Sequence, residues 1–185
     1  MTVTINGTTG VTSPGVSVSG STVLGTMGSS VITSGTAVAT TSGTTVDFTS
    51  IPSWVKRITV MLSGVSTNGA TGVFMRLGTS SGFESTGYTW YYSTNGASGT
   101  GNTTYFQPGF RNTAASTFYG TVVLCLLNSS TNLWVIQQST TAVESADVYT
   151  VVGSKALAAT LTQLRLGSVD GTSTFDLGSI NILYE

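Results

Sequence analysis

Apolar and polar residues alternate with a period of two through much of the chain after residue 35, and this pattern predicts β-strands. In residues 161–185, Leu164 and Leu166 alternate with Gln163 and Arg165, and a similar alternation continues to within one residue of the C-terminus. We therefore expect the last strand to be central in its sheet. The predicted strands are 36–41, 44–49, 56–63, 73–77, 88–92, 103–107, 117–127, 133–138, 147–152, 161–167 and 179–184.

Turn signals separate these strands, and helix signals are nearly absent. Turns are predicted at Asn68-Gly69, Asn95-Gly96, Pro108-Gly109, 128–132 and Asp170-Gly171. The one segment with a helical pattern, 152–161, is interpreted as a loop or a single turn. This series of short strands without intervening helices predicts an all-β fold, an antiparallel jelly-roll-like β-sandwich over residues 36–185.

Residues 1–35 differ from the rest of the chain because they carry no charged side chain and consist mainly of Thr, Ser, Gly and Val. Such a segment cannot bury enough apolar surface by itself to offset the entropy of ordering it. We interpret it as an extended N-terminal arm or stalk whose apolar residues pack between copies of the chain. A flexible linker rich in Gly, Ser and Thr is the alternative.

Two predicted strand segments, 121–127 and 133–136, are apolar on both faces. They indicate a second packing surface, which is either a subunit interface or the middle of a thick sandwich. The single cysteine, Cys125, is expected to be a buried, inert thiol, and Trp54 and Trp134 are expected in the core. With only six basic and seven acidic side chains and a net charge of −1, the sheets need partners along their edges, so we predict an oligomer.

Composition excludes several classes of function. The six basic residues are scattered, so no basic patch for nucleic acid is predicted. Neither a signal peptide nor a run of about 18 apolar residues is present, so we expect no export signal and no membrane span. The chain has no histidine, which excludes catalytic triads with an imidazole base and His-ligated zinc sites.

The acidic residues give weak support for a catalytic site or a metal site. A glycosidase needs two carboxylates in one cleft, and Glu144 and Asp147 are near neighbours in sequence. Because both lie where a loop enters a predicted strand, we interpret them as solvated acids. Asp170 and Asp176 lack the spacing of a calcium loop, so we interpret their segment as a β-turn. We expect no enzymatic activity, no metal and no cofactor.

Four aromatic residues lie within five positions at 88–92, and Tyr105-Phe106 follow after a loop. A period of two places these rings on both faces of a strand, so one face presents rings to solvent or to another subunit. Exposed rings stack on sugars, and flanking polar groups bond to sugar hydroxyls. Packing in the core or in a trimer interface is the competing interpretation. The candidate glycan-binding residues are Glu84, Tyr88, Trp90, Tyr91, Tyr92, Tyr105 and Arg111.

Three segments carry a resemblance to known proteins. They are SGTTVDFTSIPSWVKRITVMLSGVSTNG at 42–69, GTVVLCLLNSSTNLWV at 120–135 and LTQLRLGSVDGTSTFDLGSINILYE at 161–185. These segments resemble tail-fibre and related virion appendage proteins of tailed bacteriophages, and TVTINGTTGVTSPG at the start is similar to segments of such proteins. The resemblance implies a β-rich distal domain of receptor-binding type that is usually trimeric.

The resemblance also sets expectations for function. It implies a virion structural protein, assembled in the host cytoplasm, that recognises a host-surface glycan as a homotrimer. Its partners would be its own copies, other virion proteins and the glycan, without nucleic acid and without membrane insertion. Two alternatives remain open at this point: a polysaccharide-degrading tailspike component, and a capsid decoration protein without a ligand.

Overall fold

A computed structural model describes residues 32–109 and 113–185, which form fourteen β-strands and one 3-10 turn at Val143–Ser145. The strands are β1 (Thr33–Ser34), β2 (Val38–Ala39), β3 (Thr45–Phe48), β4 (Arg57–Thr67), β5 (Val73–Thr79), β6 (Gly82–Phe83), β7 (Tyr88–Thr94), β8 (Ala97–Thr100), β9 (Phe106–Gly109), β10 (Phe118–Asn128), β11 (Leu133–Ala142), β12 (Asp147–Ala156), β13 (Gln163–Ser168) and β14 (Phe175–Tyr184). In this part of the chain, no helix has the length and hydropathy needed to cross a bilayer.

The strands form two antiparallel sheets that pack face to face. The large sheet has the order β1-β14-β4-β10-β11-β12-β7-β8, and β2 also pairs with β14. The small sheet has the order β3-β13-β5-β6, and β9 also pairs with β5. The predicted all-β antiparallel sandwich is confirmed. The predicted arm, 1–35, lies outside the described residues except for its last four, of which Thr33 and Ser34 pair with β14.

The last strand is less central than its sequence suggests. Strand β14 pairs with β4 along most of its length, and among the described residues its other side pairs only with the two-residue strands β1 and β2. Within this part of the chain, β14 is therefore next to the edge of the large sheet and not at its centre.

The core lies between the sheets and follows the period of two. In β4, Ile58 and Val60 are fully buried, and they belong to the same core cluster as Leu164 and Leu166 of β13, which are also fully buried. Burial of alternate side chains from both sheets is the main source of stability in such a sandwich. Trp134 lies in this core, as predicted.

The prediction for Trp54 is wrong, because this side chain is 51% exposed. It lies in the connection between β3 and β4, where Ile51 and Val55 turn inward instead. The Trp54 ring packs on Tyr184, with 5.8 Å between the ring centroids. The apolar neighbours of Trp54 in sequence therefore occupy the core in its place.

Most predicted turns are found where the sequence places them. Asn95, Asn132 and Gly171 adopt positive φ angles of 28°, 49° and 70° in the connections after β7, β10 and β13. The prediction at Pro108-Gly109 is wrong, since both residues belong to the edge strand β9, where proline costs no ladder hydrogen bond. Segment 152–161 is no helix: β12 continues to Ala156 and a loop follows.

Gly120 allows β10 to pair closely with its neighbours. The register of β10 against β4 shifts between Phe118 and Gly120, which marks a β-bulge. Gly120 has φ of 138°, and an added Cβ would lie 2.3 Å from the carbonyl oxygen of Ser139. Only glycine meets both conditions without strain, so this residue keeps the centre of the large sheet continuous.

The Asp170 turn gives a pH-dependent prediction. The Asp170 carboxylate accepts hydrogen bonds from the Ser173 hydroxyl and from the backbone N–H groups of Ser173 and Thr172. The Ser173 bonds are the main cause of a lowered Asp170 pKa, about 2. Because the folded pKa is depressed, the carboxylate stabilises the fold above its ordinary pKa, and this stabilisation is lost as the pH falls towards about 2.

We expect Asp170→Asn to destabilise the protein at neutral pH by about 0.5–1 kcal/mol, since solvent screens this exposed group. The amide oxygen of the introduced asparagine can still accept the two backbone bonds, so the variant tests the charge and not the turn. Urea unfolding of both proteins at pH of about 6 and about 2 measures the effect. An equal difference at both pH values would contradict the prediction.

Candidate functional site

The aromatic strand β7 splits its rings between the two faces of the large sheet. Tyr88 and Trp90 point into the core and are only 1% and 2% exposed. Tyr92 lies on the same inner face, partly buried against Trp90 at a centroid distance of 6.1 Å. Tyr91 lies on the outer face and is 55% exposed. The expected distribution over both faces is found, and three of the four rings are on the inner side.

Tyr88 and Trp90 have clear structural roles. The Tyr88 hydroxyl accepts a hydrogen bond from the Leu77 backbone N–H at 2.9 Å and donates one to the Glu84 carbonyl oxygen at 3.0 Å. Burial raises the pKa of Tyr88 to about 12, so the phenol stays neutral. The Trp90 indole covers Gly101, where an added Cβ would lie 1.7 Å from Cε2 of the ring. Both rings are therefore enclosed in the core and offer no face to a ligand.

Glu84 is also occupied by internal contacts. Its carboxylate pairs with the buried Lys155 ammonium and accepts a hydrogen bond from the Ala158 N–H at 2.8 Å. Arg111, the other polar residue predicted to border the site, lies outside the described residues. The structure therefore does not bring Glu84 together with the rings of β7 in one open site.

Tyr105 lies elsewhere, on the outer face of the small sheet. Its ring lies 5.5 Å from the ring of Phe74, centroid to centroid. The guanidinium carbon of Arg76 lies 4.9 Å from the Phe74 centroid and 5.9 Å from the Tyr105 centroid. The Arg76 Nε donates to the carbonyl oxygen of Thr104 at 3.2 Å, which fixes the guanidinium beside the two rings. The three side chains form a cation–π cluster.

A second arginine lies on the same face. Arg165 is the cross-strand partner of Arg76, and its guanidinium lies 4.2 Å from the Phe83 centroid. Asp47, on the neighbouring strand, accepts two hydrogen bonds from Arg165, each 2.6 Å long. These bonds raise the pKa of Arg165 above its ordinary value. We call the face formed by Phe74, Arg76, Phe83, Tyr105 and Arg165 the aromatic-arginine surface.

Glycines beneath the rings allow this surface to form. A Cβ at Gly167 would lie 2.8 Å from two ring carbons of Phe74, and a Cβ at Gly78 would lie 3.0 Å from Cδ1 of Phe83. Both glycines occupy strand positions that face outward, where a side chain would displace the rings. Tyr105 is the one residue of this surface that was predicted from the sequence as a candidate for glycan binding. The alternation of Phe74 and Arg76 with Met75 and Leu77 in β5 is the signal that predicts an aromatic and a cation on one outer face.

An open groove adjoins the aromatic-arginine surface at Phe83. Its volume is about 450 Å³. Phe83 and Glu84 line it together with four hydroxyl-bearing residues, which are Thr79, Ser81, Ser85 and Thr86. A ring next to a row of hydroxyls is a suitable environment for a sugar, which has both apolar faces and many hydroxyl groups.

The two acids considered for catalysis are each held by local partners. Glu144 accepts hydrogen bonds from the backbone N–H and the hydroxyl of Thr117 at 2.6 and 2.8 Å. Asp147 accepts hydrogen bonds from the amide of Asn95 and from the Tyr149 hydroxyl. Both carboxylates thus tie together connections at one end of the large sheet. Over residues 32–109 and 113–185, no three Cys, Asp or Glu side chains cluster as metal ligands would.

The outer face of the large sheet contains two neighbouring rows of uncharged side chains. Cross-strand partners place Leu183, Thr59, Val123, Gln137, Val152 and Tyr91 in one row. The next row on one side is Asn181, Met61, Thr121, Ser139, Thr150 and Ser93. Neither row contains a charged side chain. We call these two rows the neutral face.

Cys125 borders the neutral face. Val122 and Leu124 are fully buried, whereas Val123 and Cys125 point outward and are half-buried. The expectation of a buried thiol is therefore wrong, because the outward positions of β10 are not covered by the opposite sheet. The two-sided apolar character of β10 is explained by one face in the core and one face outside.

Comparison of the chain with family models, with curated proteins and with solved structures finds no match. The function is therefore inferred from the residues and surfaces of this chain.

Proposed function

We propose that the protein is a virion structural component of the tail-fibre type that binds a glycan on the host surface through the aromatic-arginine surface. The observation that carries this proposal is the aromatic-arginine surface, in which Tyr105, Arg76 and Phe74 cluster and Phe83 adjoins a hydroxyl-lined groove. An accessible aromatic ring next to an arginine provides the apolar and polar contacts that sugars require. The resemblance of residues 42–69, 120–135 and 161–185 to phage appendage proteins supports the same assignment.

The proposal includes assembly as a homotrimer, with the neutral face turned towards the other copies. A face without charges can be buried without the cost of desolvating ions. It lies on the side of the sandwich opposite the aromatic-arginine surface, because the two are the outer faces of different sheets. One face is then available for self-association while the other contacts the host. Other virion proteins would attach to the assembled trimer.

Adsorption to cells tests the glycan-binding proposal. Labelled protein is titrated against intact bacteria from a strain panel and against polysaccharide purified from the strains that bind. We expect saturable binding that Tyr105→Ala weakens about tenfold, since lost ring stacking is worth about 1–1.5 kcal/mol. Trp54→Ala is the matched control, because Trp54 is an exposed ring outside the aromatic-arginine surface. Its binding should equal that of the wild type.

Two results would replace this proposal with another. The absence of saturable adsorption to every strain would favour a capsid decoration protein without a ligand. Release of reducing sugar from the polysaccharide, lost in Glu144→Gln or Asp147→Asn, would favour a polysaccharide-degrading tailspike component.

A further inference from the structure

Arg76 is the one arginine of the aromatic-arginine surface without a carboxylate partner. Asp47 neutralises its neighbour Arg165. All seven acidic residues of the chain lie in the described part, and none of the three ion pairs found there involves Arg76. Two adjacent guanidinium groups with one carboxylate leave a local positive charge on a protein whose net charge is −1. This surface will attract an anion to the position of Arg76.

The contacts of Arg76 also fix how an anion can approach. Its Nε is bonded to the carbonyl oxygen of Thr104, and Phe74, only 8% exposed, lies beneath the guanidinium. A guanidinium group held through its Nε still has two terminal nitrogens with parallel N–H donors, which is the arrangement that matches a planar carboxylate. Tyr105, half-buried at the side, offers a ring on which the rest of the ligand can stack.

Lys56 shows what distinguishes this site from a simple surface charge. Lys56 also lacks an ion pair among the described residues, but no ring is found stacked on its ammonium group there. Its compact charge gives no fixed direction for a ligand. Among the basic residues that the structure describes, Arg76 alone combines a charge without a carboxylate partner, a guanidinium held by a hydrogen bond and two neighbouring rings.

We propose that Arg76 binds the carboxylate of an acidic sugar, so that the glycan recognised by this protein contains uronic acid units. The inference rests on the proposed glycan-binding function and specifies its ligand class. The carboxylate pairs with the terminal nitrogens of Arg76, the sugar ring stacks on Tyr105, and the following units of the chain extend along the sheet towards Phe83 and the groove beside it.

Calorimetric titration with charged and neutral forms of the same sugars tests this inference. The probes are oligomers of galacturonic, glucuronic and mannuronic acid, and their methyl esters, which keep the sugar but remove the charge. For at least one of these oligomers we expect the acid to bind about tenfold more tightly than its ester, an advantage that high salt reduces. Arg76→Gln should remove this preference, and Arg76→Lys should keep only part of it because it cannot bind bidentately. Lys56→Gln is the matched control and should keep the full preference.

The titration can contradict the uronic acid assignment without contradicting the proposed glycan binding. Equal binding of acid and ester by the wild type, an unchanged preference in Arg76→Gln, or no binding of any uronic acid oligomer would overturn the uronic acid assignment. Saturable adsorption to cells that depends on Tyr105 would still support glycan binding in each of those cases. Circular dichroism and thermal unfolding of the Arg76 variants establish that the fold is retained before binding is compared.

Discussion

A Glu84→Gln variant will have a free energy of unfolding about 3–5 kcal/mol lower than the wild type, because it leaves a buried ammonium group without its counter-charge. The Lys155 side chain is only 5% exposed, and its Nζ contacts the Glu84 carboxylate, the Ala156 carbonyl oxygen at 2.6 Å and the face of Tyr88 at 5.5 Å. Glutamine has nearly the shape of glutamate, so the variant removes the charge with little change in packing.

Urea unfolding followed by tryptophan fluorescence measures this effect. Two further variants test whether the loss of stability comes from the unpaired Lys155 charge. Adding Lys155→Met to Glu84→Gln removes the unpaired charge and should recover about 2 kcal/mol or more. Arg57→Gln breaks the exposed ion pair with Glu185 and should cost less than about 1 kcal/mol. A Glu84→Gln effect as small as that of Arg57→Gln would show that the Lys155 charge is solvated in the folded protein.

The ion pair between Glu84 and Lys155 could not be predicted from the sequence. Glu84 follows the short strand β6 and Lys155 lies near the end of β12, so their contact depends on how the two sheets pack. Local patterns carry no information on that packing. Glu84 was predicted to contact a ligand, because a polar residue near aromatic residues in sequence is consistent both with ligand binding and with an internal ion pair.

The sandwich itself could be predicted because it depends on local patterns. Alternation of apolar and polar residues in β4 and β13 sets which side chains face inward, and turns such as Asp170-Gly171 mark where strands end. Trp54 shows the limit of this reasoning, since an apolar neighbourhood in sequence does not determine which of its members reaches the core. The order of strands within each sheet was not predicted either.

The candidate site was predicted only in part, for a related reason. The four aromatic residues of β7 were predicted to form a glycan-binding surface. Three of their rings lie on the inner face of the large sheet, where the small sheet packs against it. Tyr105 was predicted as a candidate, but its neighbours Arg76 and Phe74 lie on β5, about thirty residues earlier in the chain. Glycines such as Gly167 are needed to seat these rings, and their role is visible only once the strands are paired.

A Val123→Lys variant will be monomeric, whereas we expect the wild type to have three times the chain mass of 19.0 kDa in solution. Val123 lies in the middle of the neutral face, between Thr59 and Gln137, and points away from the core. In a trimer built on this face, the new ammonium groups would be buried at the interface without carboxylate partners. That costs several kcal/mol per copy, which is enough to dissociate a small assembly.

Light scattering coupled to size-exclusion chromatography measures the mass of each protein. Thr45→Lys is the matched control, because it adds the same charge at an exposed position on the outer face of the small sheet and should leave the mass unchanged. Circular dichroism should show the same β content in all three proteins, since Val123 contributes nothing to the inner core. A monomeric wild type would rule out the trimer, and a trimeric Val123→Lys would place the subunit interface on another face.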